Sequence, residues 1–212
     1  EPVTKRFTKT GLNTYTVTVT ATGIGGLSSS TLLEVEVQSD FSDPETVELL
    51  TGGTTKTWYL DVAQPGHLGV GLTRDLRPDA YWFATEFNAA PNLFCENPNA
   101  SCFCDDEMTF SLNSGGQIIF ELDNKGATFF NGANSGAGGG SGTGDDICLD
   151  FDTSGESVVN LAPSENDLPP SETTGTVMNL SGGGFLMYYN GAFSYEILSI
   201  TENTLYVRSL DG

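Results

Sequence analysis

The stretch Glu107–Leu122, EMTFSLNSGGQIIFEL, decides how this chain is read. It holds two short segments rich in apolar side chains, Glu107–Leu112 and Gln117–Leu122, joined through Gly115-Gly116. Segments this short, bounded by glycine turns, read as β-strands rather than helices. The same pattern continues outward. Thr54–Val62, Ala127–Asn131, Ile147–Phe151, Thr176–Leu180, Phe185–Tyr189, Ala192–Ile200 and Thr204–Arg208 are further strand segments, evenly spaced and separated by Asn-Gly, Gly-Gly and Asp-Asn turns. Many short strands at regular spacing predict an all-β chain folded as an antiparallel β-sandwich or jelly roll. Only Glu45–Leu50, with Asp43 as N-cap and Pro44 at the first helical position, and Glu86–Ala90 read as helical. The tract Gly132–Gly144 is so rich in glycine and serine that it reads as a long flexible surface loop, outside the core.

Composition narrows the partners. Eight basic residues stand against 28 acidic ones, a formal charge of −20. Nucleic acid is excluded as a partner, because phosphate neutralisation needs Lys and Arg. Anionic membrane surfaces and sulfated or uronic polysaccharides are disfavoured on the same ground. Between Lys125 and Arg208 ten acidic residues occur and no basic one. A neutral ligand or a cation suits this field. No run of apolar residues is long enough to span a bilayer, so the chain is not expected to be membrane-spanning. The opening Glu1-Pro2-Val3 is expected to begin a mature or trimmed chain, without a signal peptide.

Residues 11–38 form a separate pattern. Thr14–Ala21 alternates with period two, Gly23-Ile24-Gly25-Gly26 is a turn, and Ser29–Val37 alternates again, which predicts a β-hairpin. The series G-x-x-x-Y-T-V-T-V-T-A-T-G-x-G-G-L-S-S-S over Gly11–Ser30 resembles the end of a PKD domain, an immunoglobulin-like sandwich. That resemblance implies that about 1–40 is the C-terminal part of a PKD-like domain. Gln38–Pro44 reads as a linker, and 41–212 as a second β-sandwich domain.

The richest candidate site is Ala80–Pro91, AYWFATEFNAAP. Tyr81, Trp82, Phe83 and Phe87 lie beside Glu86 and Asn88, and strand alternation would bury only every second ring. Flat rings beside carboxylates and amides suit sugars, the ring covering the C–H face and the polar groups taking hydroxyls. With Tyr81 and Phe83 inward, Trp82 faces solvent. In Thr57-Trp58-Tyr59, Trp58 is expected inside and Tyr59 outside as a further platform. Tyr188-Tyr189 is a second aromatic pair. His67, in Pro65-Gly66-His67-Leu68-Gly69, is expected to fix its loop through a ring-to-backbone hydrogen bond and is also a candidate ligand-binding residue. The competing reading is that the rings pack in the core.

Cys95, Cys102, Cys104 and Cys148 have poor spacing for zinc, and an even count in an acidic, glycine-rich chain predicts two disulfides. Three pairings exist. Cys95–Cys102 with Cys104–Cys148 is favoured, since Cys102 and Cys104 share a face if extended. The acidic groups Asp105-Asp106-Glu107, Asp145-Asp146 and Asp150-x-Asp152 offer oxygens that a structural calcium would accept, although each reads more simply as solvated loop charge. No other cofactor is expected. Glu107 and Glu121 are the one carboxylate pair considered for glycoside hydrolysis, and no serine-nucleophile motif is present. The glycines 66, 69 and 71 precede no amphipathic helix and make no phosphate cradle.

A resemblance extends through the second unit. T-W-Y-L-D-x-x-x-P-G-H-L-G-V-G (Thr57–Gly71), Tyr81-Trp82-Phe83, D-D-E-M-T-F (Asp105–Phe110) and D-N-K-G-A-T-F (Asp123–Phe129) resemble the C-terminal domain of Bacteroidetes surface glycan-binding lipoproteins. In these a PKD-like domain precedes a carbohydrate-binding β-sandwich. The resemblance implies an outer-membrane lipoprotein on the cell surface, partnered by a SusC/SusD-type importer. It also implies aromatic platforms that capture a polysaccharide without hydrolysing it. The chain departs from the pattern at Cys104, where an aromatic residue is expected, and it stops at Asp211-Gly212, where a final strand is expected to follow. The expected function is capture of a neutral polysaccharide, first a β-glucan such as laminarin. The alternatives are a glycoside hydrolase on the same glycans and a purely structural or adhesive module.

Overall fold

Alternation organises the central strands, because successive side chains on a strand point to opposite faces. In Glu107–Leu112 the residues Met108 and Phe110 are buried, while Glu107 and Thr109 are half-exposed on the other face. The computed structural model describes residues 11–71, 87–165 and 170–209. In chain order its elements are β1 (Gly11–Thr22), β2 (Ser28–Ser39), α1 (Pro44–Thr51), β3 (Thr55–Tyr59), β4 (Gly69–Val70), β5 (Phe87–Asn88), a 3₁₀ turn Ser101–Asp105, β6 (Glu107–Leu112), β7 (Ile118–Asp123), β8 (Ala127–Phe130), a 3₁₀ segment Gly132–Gly138, β9 (Ile147–Asp150), β10 (Ser157–Pro163), β11 (Thr176–Leu180), β12 (Tyr188–Tyr189), β13 (Ser194–Ile200) and β14 (Leu205–Ser209).

The architecture is all-β, as the strand spacing predicts. A curled seven-stranded antiparallel sheet runs β14-β13-β11-β10-β7-β6-β3. A three-stranded sheet, β12-β8-β9, pairs β8 with β12 in parallel and with β9 antiparallel. Phe129 of β8 lies in the same buried cluster as Trp58, Phe110, Phe120, Met178 and Ile197 from the large sheet. Phe103 reaches that cluster from the 3₁₀ turn, its ring 5.0 Å from Phe129. Each such fully buried side chain contributes about 1.5–3 kcal/mol.

α1 forms where Asp43 and Pro44 predict it. The Asp43 carboxylate accepts from the Thr46 backbone N–H at 3.0 Å and the Thr46 hydroxyl at 2.7 Å. It also accepts from the Thr176 hydroxyl, which ties the helix start to β11. At the other end of α1, Trp58 donates from Nε1 to the Leu50 carbonyl, and the Lys56 ammonium sits 4.2 Å above the Trp58 ring. Trp58 is buried, as its expected inward assignment requires.

β1 and β2 pair over their full length as a two-stranded sheet. Tyr15, Val17 and Val19 lie opposite Val35, Leu33 and Thr31 on one face, while Thr14, Thr16 and Thr18 lie opposite Glu36, Glu34 and Leu32 on the other.

Several expectations need correction. Gly132–Gly144 is not a free surface loop. Its first half is 3₁₀, Gly132 and Ser135 are buried, and a Cβ on Gly138 would stand 2.8 Å from the Phe130 ring. Absence of side chains here permits close packing as well as looseness. Phe185–Tyr189 is extended only at Tyr188-Tyr189. Phe87-Asn88 is extended, not helical, because it pairs with Gly69-Val70. β10, at the centre of the large sheet, lies in a segment that had no predicted strand.

Candidate functional site

Inward Trp58 forces its neighbour outward, and Tyr59 is 64% exposed. Tyr59 stands on β3, an edge strand, directly opposite Glu107 on β6, which in turn stands opposite Asp123 on β7. Residues directly opposite in an antiparallel pair share a face. One row therefore runs Tyr59–Glu107–Asp123 across three strands, and a second runs Thr57–Thr109–Glu121 beside it. The Thr57 and Thr109 hydroxyls are 3.1 Å apart. The result is an open sheet face with one exposed ring, three carboxylates and two hydroxyls.

Lys125, at left-handed φ of 51° in the turn after β7, folds back over this face. Its ammonium lies 2.7 Å from Asp123 and 3.1 Å from Glu107. The hydrogen bond from Lys125 holds the Asp123 carboxyl below the usual range, and the two carboxylates raise the Lys125 ammonium above its own. Another cation is also taken internally. Arg208 pairs with Glu196 between β13 and β14, and Thr173 and Ser164 donate to the same carboxylate at 2.9 and 2.8 Å. Among the described residues, the face sets three carboxylates, Glu107, Glu121 and Asp123, against the single ammonium of Lys125.

Asp123 also lines an open cleft of ≈ 630 Å³, together with Asn124, Asp150, Phe151, Asp152 and Ser154. The cleft is shallow and open to solvent along its length. Face and cleft meet at Asp123.

A second aromatic group gathers near the β4–β5 hairpin. Phe94 holds it together, with His67 and Phe87 each 5.9 Å from its ring, and with Phe103 and Phe129 behind it. Phe87 is 38% exposed, and Asn88 is also exposed. His67 Nδ1 is 2.9 Å from the Gln64 carbonyl oxygen, the ring-to-backbone bond expected of it. Gly66 is required beneath this hairpin. It has φ of 78°, and an added Cβ would stand 2.6 Å from Asn88 Oδ1. The structure thus joins His67 and Phe87 through Phe94, a residue the sequence reading passed over, and keeps Asn88 beside their loop. Tyr81, Trp82, Phe83 and Glu86 lie outside the described residues.

Glu107 and Glu121 do not oppose one another across a cleft. They sit side by side on one face, two register positions apart on adjacent strands. Glycosidase carboxylates flank the scissile bond, an arrangement this pair does not make. Among the described residues no three His, Cys, Asp or Glu side chains converge as a metal site, so the acidic triplet at 105–107 splits its directions instead of gathering them.

Both disulfides expected from the cysteine count are present, with a different pairing. Cys95 joins Cys104 and Cys102 joins Cys148, with Cα separations of 5.8 and 6.1 Å. The expectation treated 102–104 as extended, which would aim both side chains the same way. The segment is instead 3₁₀, about three residues per turn, so residues two apart aim at different neighbours. Cys102 faces β9, where its backbone N–H also meets Cys148 Sγ at 3.3 Å. Cys104 faces Cys95.

The fold and face define an all-β protein presenting a polar, aromatic-edged sheet surface. No known protein-family model matches the chain, and no curated protein matches it.

Proposed function

We propose that this protein captures a neutral polysaccharide without hydrolysing it, on the face bearing Tyr59, Glu107 and Asp123. The observation that carries the reading is Tyr59, a ring left open to solvent at the end of a row of carboxylates and hydroxyls. A ring of this kind covers the apolar face of a pyranose, and the neighbouring Thr57, Thr109, Glu107 and Glu121 take its hydroxyls. The acidic field argues against anionic glycans, since Lys125 is already engaged by Asp123 and Glu107. Strands lie about 4.8 Å apart, so three strands give a track on the order of two sugar units, leading into the cleft at Asp123.

The side-by-side acids on this face favour binding over hydrolysis. The resemblance to Bacteroidetes surface glycan-binding lipoproteins supports the same reading, together with an outer-membrane location and a SusC/SusD-type partner. A β-glucan such as laminarin is the first ligand to test. Affinity gel electrophoresis against laminarin, mixed-linkage glucan, mannan and xylan is the deciding measurement. Retardation by one neutral glycan, lost in Tyr59→Ala, is the expected result; migration unchanged in all four gels refutes the reading.

A further inference from the structure

Asp106 links the cysteine-bearing turn to β6 and continues the inward series of that strand. It shares the parity of Met108 and Phe110, while Glu107 points to the outer face. Its side chain is fully buried, and neither carboxylate oxygen has a hydrogen-bond partner among the described residues. A buried carboxylate without a donor is among the costliest groups a fold can hold, and it neutralises by keeping its proton. The nearby donors are committed elsewhere. Asn124, which follows the last residue paired with β6, donates from Nδ2 to Thr128 Oγ1 and to the Phe151 carbonyl, both at 2.8 Å. The Lys125 ammonium is held by Asp123 and Glu107.

The charged groups acting on Asp106 come from each side of this junction: Asp105 from the turn, Asp123 from β7 and Lys125 from the turn after β7. Two of the three repel a negative charge. We propose that Asp106 is a proton-dependent latch, its neutral carboxyl closing the junction between the cysteine turn and β6 and its ionised form loosening that junction. On ionisation the proton passes to water, and the carboxylate swings away from Asp123 and Asp105 to be hydrated. Burial, reinforced by Asp123 and Asp105 against the pull of Lys125, pushes the carboxyl up to about 7. The latch therefore works near neutrality. Because the proton is held more tightly in the folded state than in the unfolded one, stability falls as pH rises from about 4 to about 7 and then levels. This inference does not depend on what the outer face binds.

Thermal melts of the wild type and of Asp106→Asn, which imitates the neutral form, test the latch. From about pH 5 to about pH 8 the wild type is expected to lose roughly 5 °C relative to the variant. Parallel curves would overturn the proposal. If Asp106→Asn fails to fold, infrared difference spectra of the wild type decide instead. A protonated-carboxyl band that disappears as pH rises through neutrality supports the latch, and no such band refutes it. The melts are repeated with EDTA and with millimolar calcium. Calcium that restores the wild type at alkaline pH, but not the variant, would show that the buried group serves a cation, and this too overturns the proposal.

Discussion

Trp58 donates its indole N–H to the carbonyl oxygen of Leu50 across 2.9 Å, so the edge strand β3 is fastened to the C-terminal half of α1 by a buried ring. Its neighbour Tyr59 is turned to solvent by the same alternation. Trp58→Ala removes packing and orphans a buried carbonyl, with an expected loss of about 3–5 kcal/mol of stability. Tyr59→Ala leaves the melting temperature within a degree or so, because surface substitutions change stability by no more than about 0.5 kcal/mol. Its expected effect is on glycan retention, where truncating an anchor ring costs about 2 kcal/mol, roughly thirtyfold. Melts and calorimetric titration of both variants separate the two roles. A folded Trp58→Ala that binds poorly, beside a Tyr59→Ala that binds normally, reverses the assignment.

Peptide mapping without reduction should give a Cys95–Cys104 peptide and a Cys102–Cys148 peptide. The bridges span 9 and 46 residues, and chain entropy assigns them about 2.5 and about 4 kcal/mol. Replacing Cys102 and Cys148 together by Ala should therefore lower the denaturant midpoint more than replacing Cys95 and Cys104. Equal midpoints would show that loop closure is not what the longer bridge contributes.

The elements legible in the sequence were those whose limits are marked by turns. Glu107–Leu112 and Thr176–Leu180 match their predicted bounds because local alternation or an apolar run bounded by turns is enough to mark them. β10 was missed for the opposite reason. Val159, Leu161 and Ala162 are all buried, so a strand covered on both sides near its end shows no clean period, and Pro163 blurs its limit. The cysteine pairing was hidden because it depends on whether residues 101–105 are extended or 3₁₀, which two half-buried cysteines around a buried Phe103 do not reveal. Of the site, Tyr59 was legible from its neighbour Trp58. The row Tyr59–Glu107–Asp123 was not, since it joins residues from three strands whose register no local pattern states.

Asp43 gives a pH prediction of opposite sign to that of Asp106. Partial burial pushes its carboxyl up, but hydrogen bonds from Thr176 and Thr46 outweigh this and leave it below the ordinary value. The ionised form is thus favoured in the folded state. The resulting stability is present above the unfolded carboxyl's value near 3.8 and is lost as pH falls through the lower folded value. Asp43→Ala removes a helix cap worth about 1 kcal/mol together with the bond to β11. Its melting curve should lie below the wild type at neutral pH and approach it in strong acid. A deficit that stays constant on acidification would rule out the cap's charge as the cause.

Asp146 closes the glycine tract by gathering donors from three places. It accepts from the Tyr188 hydroxyl at 2.8 Å, the Gly132 backbone N–H at 2.9 Å and the Asn131 side chain at 3.3 Å. The tract can only return to this point because Gly132 lacks a side chain; a Cβ there would stand 2.0 Å from the Gly144 carbonyl oxygen. Gly136 has no such restriction, its nearest neighbour being 3.8 Å from an added Cβ. Gly132→Ala and Asp146→Ala are therefore expected to open the tract to limited proteolysis between residues 132 and 144, while Gly136→Ala stays as resistant as the wild type. Tyr188→Phe removes one donor to a charged acceptor and should cost about 1.5–3 kcal/mol, read as a lower melting temperature. If Gly132→Ala proves as resistant as Gly136→Ala, the closure at Asp146 is not what holds the tract.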